Sequence, residues 1–368
     1  MRTTEMIGKN ILKVLEKIIP ATTYDRILIE RRRRLKVNNV TGYYPHAVFF
    51  SKKRSKEKYC VVRYTAPTFS VFAAGVQYVF CYYKLLERGY VPLIDIEYAY
   101  SYKQGRLGEH NMWDLCFKQA IPVSEVSKKP YVLATGDLFD YSDDPKVCYE
   151  INRDAEDHYI HVQKGNYREY YANAKKYIEP IWQVKDELMA EIDGELGIKT
   201  KGKKVLGVSL RENFTKDVKY KTEEEKSVYE KHPLLPGVKE TVEIVKKQLV
   251  EWECDFIFLA TVYEESIELF KAEFGSKVIY IERERMNIDG AKKTNFSMSE
   301  EEFYRVDQKN HDYFDKMTIS YVKEVVMLSK CDYLMGGASS GMAAALVMNG
   351  GAYKDIHVLE DERKIQRY

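Results

Sequence analysis

No Cys-x-x-Cys pair occurs among the six cysteines, Cys60, Cys81, Cys116, Cys148, Cys254 and Cys331. A zinc ribbon and a thioredoxin-type dithiol are thereby excluded, and several of the six fall inside apolar runs, where they read as small core residues of a protein in a reducing compartment. No apolar run approaches the roughly 20 residues needed to span a bilayer, and the N-terminus lacks the order of charge, apolar run and cleavage site that marks a signal peptide. The expected location is cytoplasmic. Excess charge of one sign is also missing, since 58 Lys and Arg face 56 Asp and Glu. That balance supplies no global field to hold a polyanion, so nucleic acid is not an expected partner. No Asp-x-Asp stands at a strand end to hold a divalent cation, and His158 and His161 in HYIH lack the carboxylate or cysteine that would complete a metal site. The expected site is metal-free and holds no cofactor.

What is present is enough apolar residue for a core in each of two domains: 45% hydrophobic against 31% charged over 368 residues. The chain is read as an N-terminal amphipathic and basic segment (1–40), an α/β domain (41–200) and a Rossmann-like domain (201–368). In the first segment Ile7, Ile11, Leu12, Leu15, Ile18 and Ile19 recur at helical spacing among lysines, and Arg31 to Arg34 follow as a basic run. Such a helix either docks on its own domain or lies peripherally on an anionic membrane surface. The second segment offers strands at 59–65, 91–95 and 130–136, a helix at 69–88, and a helical tract from Tyr167 to Leu196. It closes on DGELGIKTKGKK, a linker-like cluster of glycine and lysine. Thirty tyrosines are spread evenly, and none is assigned a role.

From residue 204 the order becomes regular. Strands at 204–210, 254–261, 277–281, 331–336 and 355–359 alternate with helices at 238–253, 264–275 and 320–330, and the strands are continuous apolar runs. A parallel sheet covered on both faces by helices requires that pattern. In such a sheet ligands lie beyond the carboxyl ends of the strands, against the first amides of the following helices. Two features stand there. CDYLMGGASSGMAAAL runs from a strand through Gly336, Gly337, Ala338, Ser339, Ser340 and Gly341 into a helix of small residues, where free N–H groups can meet phosphate oxygens and the serine hydroxyls can donate. Plain capping and tight helix packing explain the same residues. Arg211 follows the strand 204–210, and its guanidinium fork suits phosphate. Thr261 ends the next strand.

The ordered segments GVSLREN, His232-Pro233, IFLAT and LSKCDYLMGGASSGMAAAL resemble the donor half of the α-1,6-fucosyltransferases and their bacterial nodulation relatives. FSVFAAGVQYVFCYYKLLERGYVPLID followed by NMWDLCF is similar to their acceptor-side segment, with Trp113 and Phe117 at a Trp-x-x-x-Phe spacing. The resemblance implies a GT-B glycosyltransferase: two Rossmann-like domains facing a cleft, a GDP-sugar donor (most simply GDP-fucose), and Arg211 on the diphosphate. Gly337, Ser339, Ser340, Gly341 and Thr261 complete the expected donor site, and Trp113 is the acceptor-side candidate. Where the family carries a second arginine this chain has Glu212, and where it carries aspartates this chain has Phe214 and Glu324. Val262 and Tyr263 replace its carboxylate pair, with Glu264 and Glu265 just beyond.

Sugar transfer from a nucleotide needs two things: neutralisation of the departing diphosphate and a proton acceptor for the attacking hydroxyl. Arg211 and the 337–341 loop can serve the first, and His232, Glu230 and Glu324 are the acid–base candidates. Two functions follow. One is an inverting, metal-independent transferase acting on a glycan or lipid-linked oligosaccharide acceptor in surface polysaccharide biosynthesis. The other is a non-catalytic nucleotide-sugar-binding protein of the same fold, suggested by Glu212, Phe214 and Val262.

Overall fold

The computed structural model of the chain describes residues 18, 48–49, 59–66, 71–72, 82, 85–86, 89–98, 111–126, 131–134, 165–211, 235–283, 285, 311–337 and 339–359. The N-terminal amphipathic stretch apart from Ile18, the basic run 31–34, most of the predicted helix 69–88, and His158, His161, Glu212, Phe214, Glu230 and His232 lie outside the described residues. The chain divides into two compact units, Met1–Asn152 and Arg153–Tyr368.

The first unit holds a four-stranded sheet in the order β1–β4–β2–β3, with β1 at Val48–Phe49, β2 at Tyr59–Ala66, β3 at Val91–Tyr98 and β4 at Tyr131–Ala134. Strand β2 runs parallel to both neighbours and β1 antiparallel to β4. Among the described strands β3 is an edge, and an edge exposes backbone groups that invite pairing. Here side chains take them. Asn111 Oδ1 accepts from Ile96 N at 2.8 Å and Asn111 Nδ2 donates to the Ile94 carbonyl at 2.7 Å, while Gln119 Oε1 accepts from Ile94 N at 2.6 Å. Asn111 also caps the short helix α1 (Met112–Cys116), which α2 (Val123–Val126) follows. Tyr59, Val61, Leu93, Val123 and Val126 form the core beneath.

In the second unit five parallel strands stand in the order β7–β6–β5–β8–β9: Val278–Ile279, Phe256–Ala260, Val205–Ser209, Tyr333–Gly336 and Asp355–Val358. Alternation along β5 divides its contacts between two faces. Leu206 and Val208 join Ile257, Leu259 and Met335 in one core with Val242, Val245 and Leu249 of helix α5 (Val238–Glu251) and Ile267 and Phe270 of helix α6 (Glu264–Phe274). Gly207 faces the other way, and a Cβ there would lie 3.1 Å from Leu328 and from the Cys331 sulfur. Helix α7 (His311–Lys330), on which Leu328 sits, therefore packs close on that face. Helices cover both faces of a parallel sheet, as expected for an α/β Rossmann-like fold. Helix α7 begins at His311, ahead of the expected start at residue 320, and Phe314, Met317 and Tyr321 already recur there at helical spacing.

The helical tract before residue 200 forms α3 (Tyr167–Ile178) and α4 (Asp186–Thr200), and both belong to the second unit rather than the first. Tyr167 Oη donates to the Tyr353 carbonyl, Arg168 Nη2 donates to the Lys354 carbonyl at 2.7 Å, and Lys330 of α7 pairs with Asp193 of α4. The division falls ahead of this tract, not at the glycine–lysine cluster behind it. Cys60, Cys116, Cys254 and Cys331 are buried free thiols. Among the described residues no helix is long and apolar enough to cross a membrane.

Candidate functional site

Strand order decides where a ligand is expected. From β5 the sheet grows to one side through β6 and β7 and to the other through β8 and β9, so successive connections part between β5 and β8. In an open parallel sheet that switch point leaves a crevice beyond the strands' carboxyl ends. Ser209 at the end of β5 is the register partner of Gly336 at the end of β8. Half-buried Arg211 follows the first and Gly337 the second. Helix α8 (Ser340–Asn349) starts in the same place, capped by Ser339, whose Oγ accepts from Met342 N at 3.1 Å. Arg211, Gly337, Ser339, Ser340 and Gly341 thus gather at adjacent strand ends. The first amides of α8, at Ser340 and Gly341, precede the intrahelical ladder and carry the positive end of its dipole.

The close approach that keeps this loop free of side chains is made by the protein itself. A Cβ on Gly336 would lie 2.5 Å from Met342 Sδ and 2.9 Å from Ser209, one on Gly337 2.1 Å from Leu235, and one on Gly341 2.5 Å from the Tyr321 hydroxyl. Packing against β5, Leu235 and α7 accounts for these glycines without any ligand. At the strand ends stand the start of α8 and two serines, of which Ser339 Oγ accepts from Met342 N.

Thr261 ends β6 but is only 2% exposed, and its Oγ1 accepts from Tyr263 N at 3.3 Å. Its hydroxyl serves the turn into α6. Beside it lies a charged group of which sequence reasoning named one member. Arg283 binds Glu324 in a fork, Nε to Oε1 at 3.0 Å and Nη2 to Oε2 at 2.9 Å, and Nη2 also donates to the Thr261 carbonyl at 2.9 Å. Arg285 Nη2 stands 3.7 Å from Glu324 Oε1 and donates to the Ile281 carbonyl at 2.5 Å. Burial pushes the Glu324 carboxyl up to about 7, against the downward pull of Arg283 and Arg285. With both oxygens held by Arg283 and the residue 2% exposed, Glu324 is a buried partner of Arg283 and not an open acid–base group. Arg283 and Arg285 were missed because IERER reads as a solvated charge run. The available signal was its place directly after an apolar strand, at a carboxyl end.

Trp113 is 1% exposed and stacks on Phe117 with centroids 4.3 Å apart. It is a core residue of the first unit and offers no face to an acceptor, which corrects the acceptor-side expectation. Glu230 and His232 lie outside the described residues. Among the described residues no group of three or more His, Cys, Asp or Glu is placed to hold a metal ion.

No protein-family model matches the chain, and no curated protein sequence does. Among solved structures it is similar to the fucosyltransferase NodZ from Bradyrhizobium, at 12% identity and a TM-score of 0.42 over 79% of this chain and 92% of that one. A second NodZ structure, an α-1,6-fucosyltransferase soaked with GDP-fucose, gives 10% identity and 0.42 over 79% and 93%. POFUT1 in complex with GDP gives 7% identity and 0.42 over 83% and 99%. Likeness at this level transfers no residue role to this chain.

Proposed function

We propose that this chain is a glycosyltransferase of the GT-B type that takes a nucleotide-sugar donor, GDP-fucose or a close relative, and transfers its sugar to a glycan acceptor without a metal. The observation that carries the reading is the juxtaposition of Arg211 with the Ser339-capped start of α8 at the switch point between β5 and β8. A guanidinium and the positive end of a helix dipole stand at adjacent strand ends there, a combination suited to a diphosphate. The resemblance of the motif order around Arg211 and the Ser339–Ser340 loop supports GDP-fucose or a close relative as the donor.

In this mechanism Arg211 and the amides of Ser340 and Gly341 hold the diphosphate and take up the charge that develops as the glycosidic bond breaks. The acceptor hydroxyl attacks from the opposite face, which inverts the anomeric carbon, and His232 or Glu230 takes its proton. The non-catalytic alternative keeps the same donor seat and lacks turnover; the departures at Glu212, Phe214 and Val262 favour it.

Purified protein incubated with GDP-fucose separates the two. The transferase releases GDP slowly even without acceptor. Arg211→Ala is expected to weaken GDP binding about 10- to 100-fold, the worth of one or two charge-assisted hydrogen bonds. Binding without GDP release selects the alternative. Absence of any binding to GDP or GDP-fucose in calorimetry rejects both.

A further inference from the structure

The site described above does not use the most deeply buried charges of the second unit. The side chains of Arg283, Arg285 and Glu324 are 3%, 1% and 3% exposed, and Arg285 Nε is buried without a hydrogen-bond acceptor among the described residues. Two guanidiniums share one carboxylate with almost no side-chain exposure. Taking such a trio out of water costs more than the pairing reliably returns, and an apolar trio of similar volume would hold the same helix as firmly. Cohesion alone therefore does not explain it. What charged pairs supply and apolar contacts do not is direction, because a forked guanidinium–carboxylate pair admits one geometry.

The connections show what is being directed. Arg283 ties Glu324 of α7 to the Thr261 carbonyl at the end of β6 and lies 3.4 Å from Met317 Sδ on the same helix. Arg285 reaches back to the Ile281 carbonyl beyond β7. One turn before Glu324, on the neighbouring position of the helix surface, Tyr321 points its hydroxyl at Gly341 in the first turn of α8. Helix α7 is therefore pinned at the strand ends by Glu324 and meets the start of α8 through Tyr321.

We propose that the Arg283–Glu324–Arg285 bridge is a positioning device: it sets the rotation and height of α7, and through Tyr321 it fixes the first turn of α8, where the donor diphosphate is read to bind. The ligand half of this inference rests on the nucleotide-sugar reading; the coupling of α7 to α8 does not.

The test uses the full chain in two variants. The first is the apolar triple variant Arg283→Met, Arg285→Met and Glu324→Leu, and the second is the near-isosteric Glu324→Gln. Melting temperature, amide hydrogen exchange at Met342 and Ala343, and GDP affinity by calorimetry are read for each. The triple variant is expected to melt at or above the wild-type temperature, yet to exchange faster at Met342 and Ala343 and to bind GDP about tenfold more weakly, the scale of coupling through a packed element. A purely structural bridge would lower the melting temperature and raise exchange throughout the unit. A triple variant with wild-type exchange and wild-type GDP affinity overturns the proposal. If the triple variant does not fold, Glu324→Gln decides: faster exchange confined to the start of α8 supports the device, and unchanged exchange there refutes it. Should wild-type protein bind no GDP, the nucleotide reading fails, and the exchange arm still decides the coupling.

Discussion

Gly341 shows how one missing Cβ is open to two readings. A small residue at the start of a helix beyond a parallel strand fits a phosphate approaching the backbone, and it fits equally a neighbouring helix packed against it. The Tyr321 hydroxyl, 2.5 Å from where a Cβ would be, makes the second requirement real whatever binds there. Gly341→Ala is accordingly expected to lower the stability of the protein by about 1–3 kcal/mol, the range for overpacking a filled interior, with no ligand present. Tyr321→Phe in the same chain removes the nearest atom and should recover part of that loss. A double-mutant cycle by chemical denaturation measures the coupling, and additive effects of the two changes would place the clash elsewhere. Glu324 teaches the complementary lesson. Its residue type permitted acid–base chemistry, and the neighbours that Arg283 and Arg285 provide remove it from that role.

At the scale of elements, the segment NMWDLCFKQ reads in the sequence as part of an acceptor-side motif, and its work in the fold is to close a sheet edge. Asn111 satisfies the Ile96 amide, the Ile94 carbonyl and the Trp113 amide at once, at 4% exposure. Asn111→Ala would strand two buried donors, so a loss of about 2–4 kcal/mol is expected from the usual cost of unsatisfied groups. Thermal denaturation followed by circular dichroism reads it, and a change within experimental error would mean that water replaces the amide. Strands β5, β6 and β8 behave differently. Their unbroken apolar runs announce burial on both faces, and the sheet has helices on both.

For the whole molecule the consequential difference is where the second unit begins. Glycines and lysines at 194–204 look like a linker because local composition is all that a sequence window contains. Helices α3 and α4 nevertheless pack with α7 and α8, burying Tyr171, Ala174 and Ile178, and large side chains so buried contribute about 1.5–3 kcal/mol each. A fragment 153–368 is expected to melt cooperatively, and one starting at 201 to melt at a clearly lower temperature or without a sharp transition. Equal melting temperatures for the two fragments would restore the boundary at residue 200.

The sequence by itself determined the class of fold in the second unit, because apolar strands of fixed length alternating with amphipathic helices have few other ways to bury their surfaces. It also located Arg211 and the Ser339–Ser340 loop at strand ends, since both follow directly from where apolar runs stop. Tertiary structure decided the rest. Only the strand order put those two ends side by side, and only packing revealed that Gly336, Gly337 and Gly341 have protein neighbours, that Trp113 is core, and that Arg283 and Arg285 are buried on Glu324. Periodicity reports which face of an element is buried; the partner on that face comes from distant parts of the chain, and no local pattern contains it.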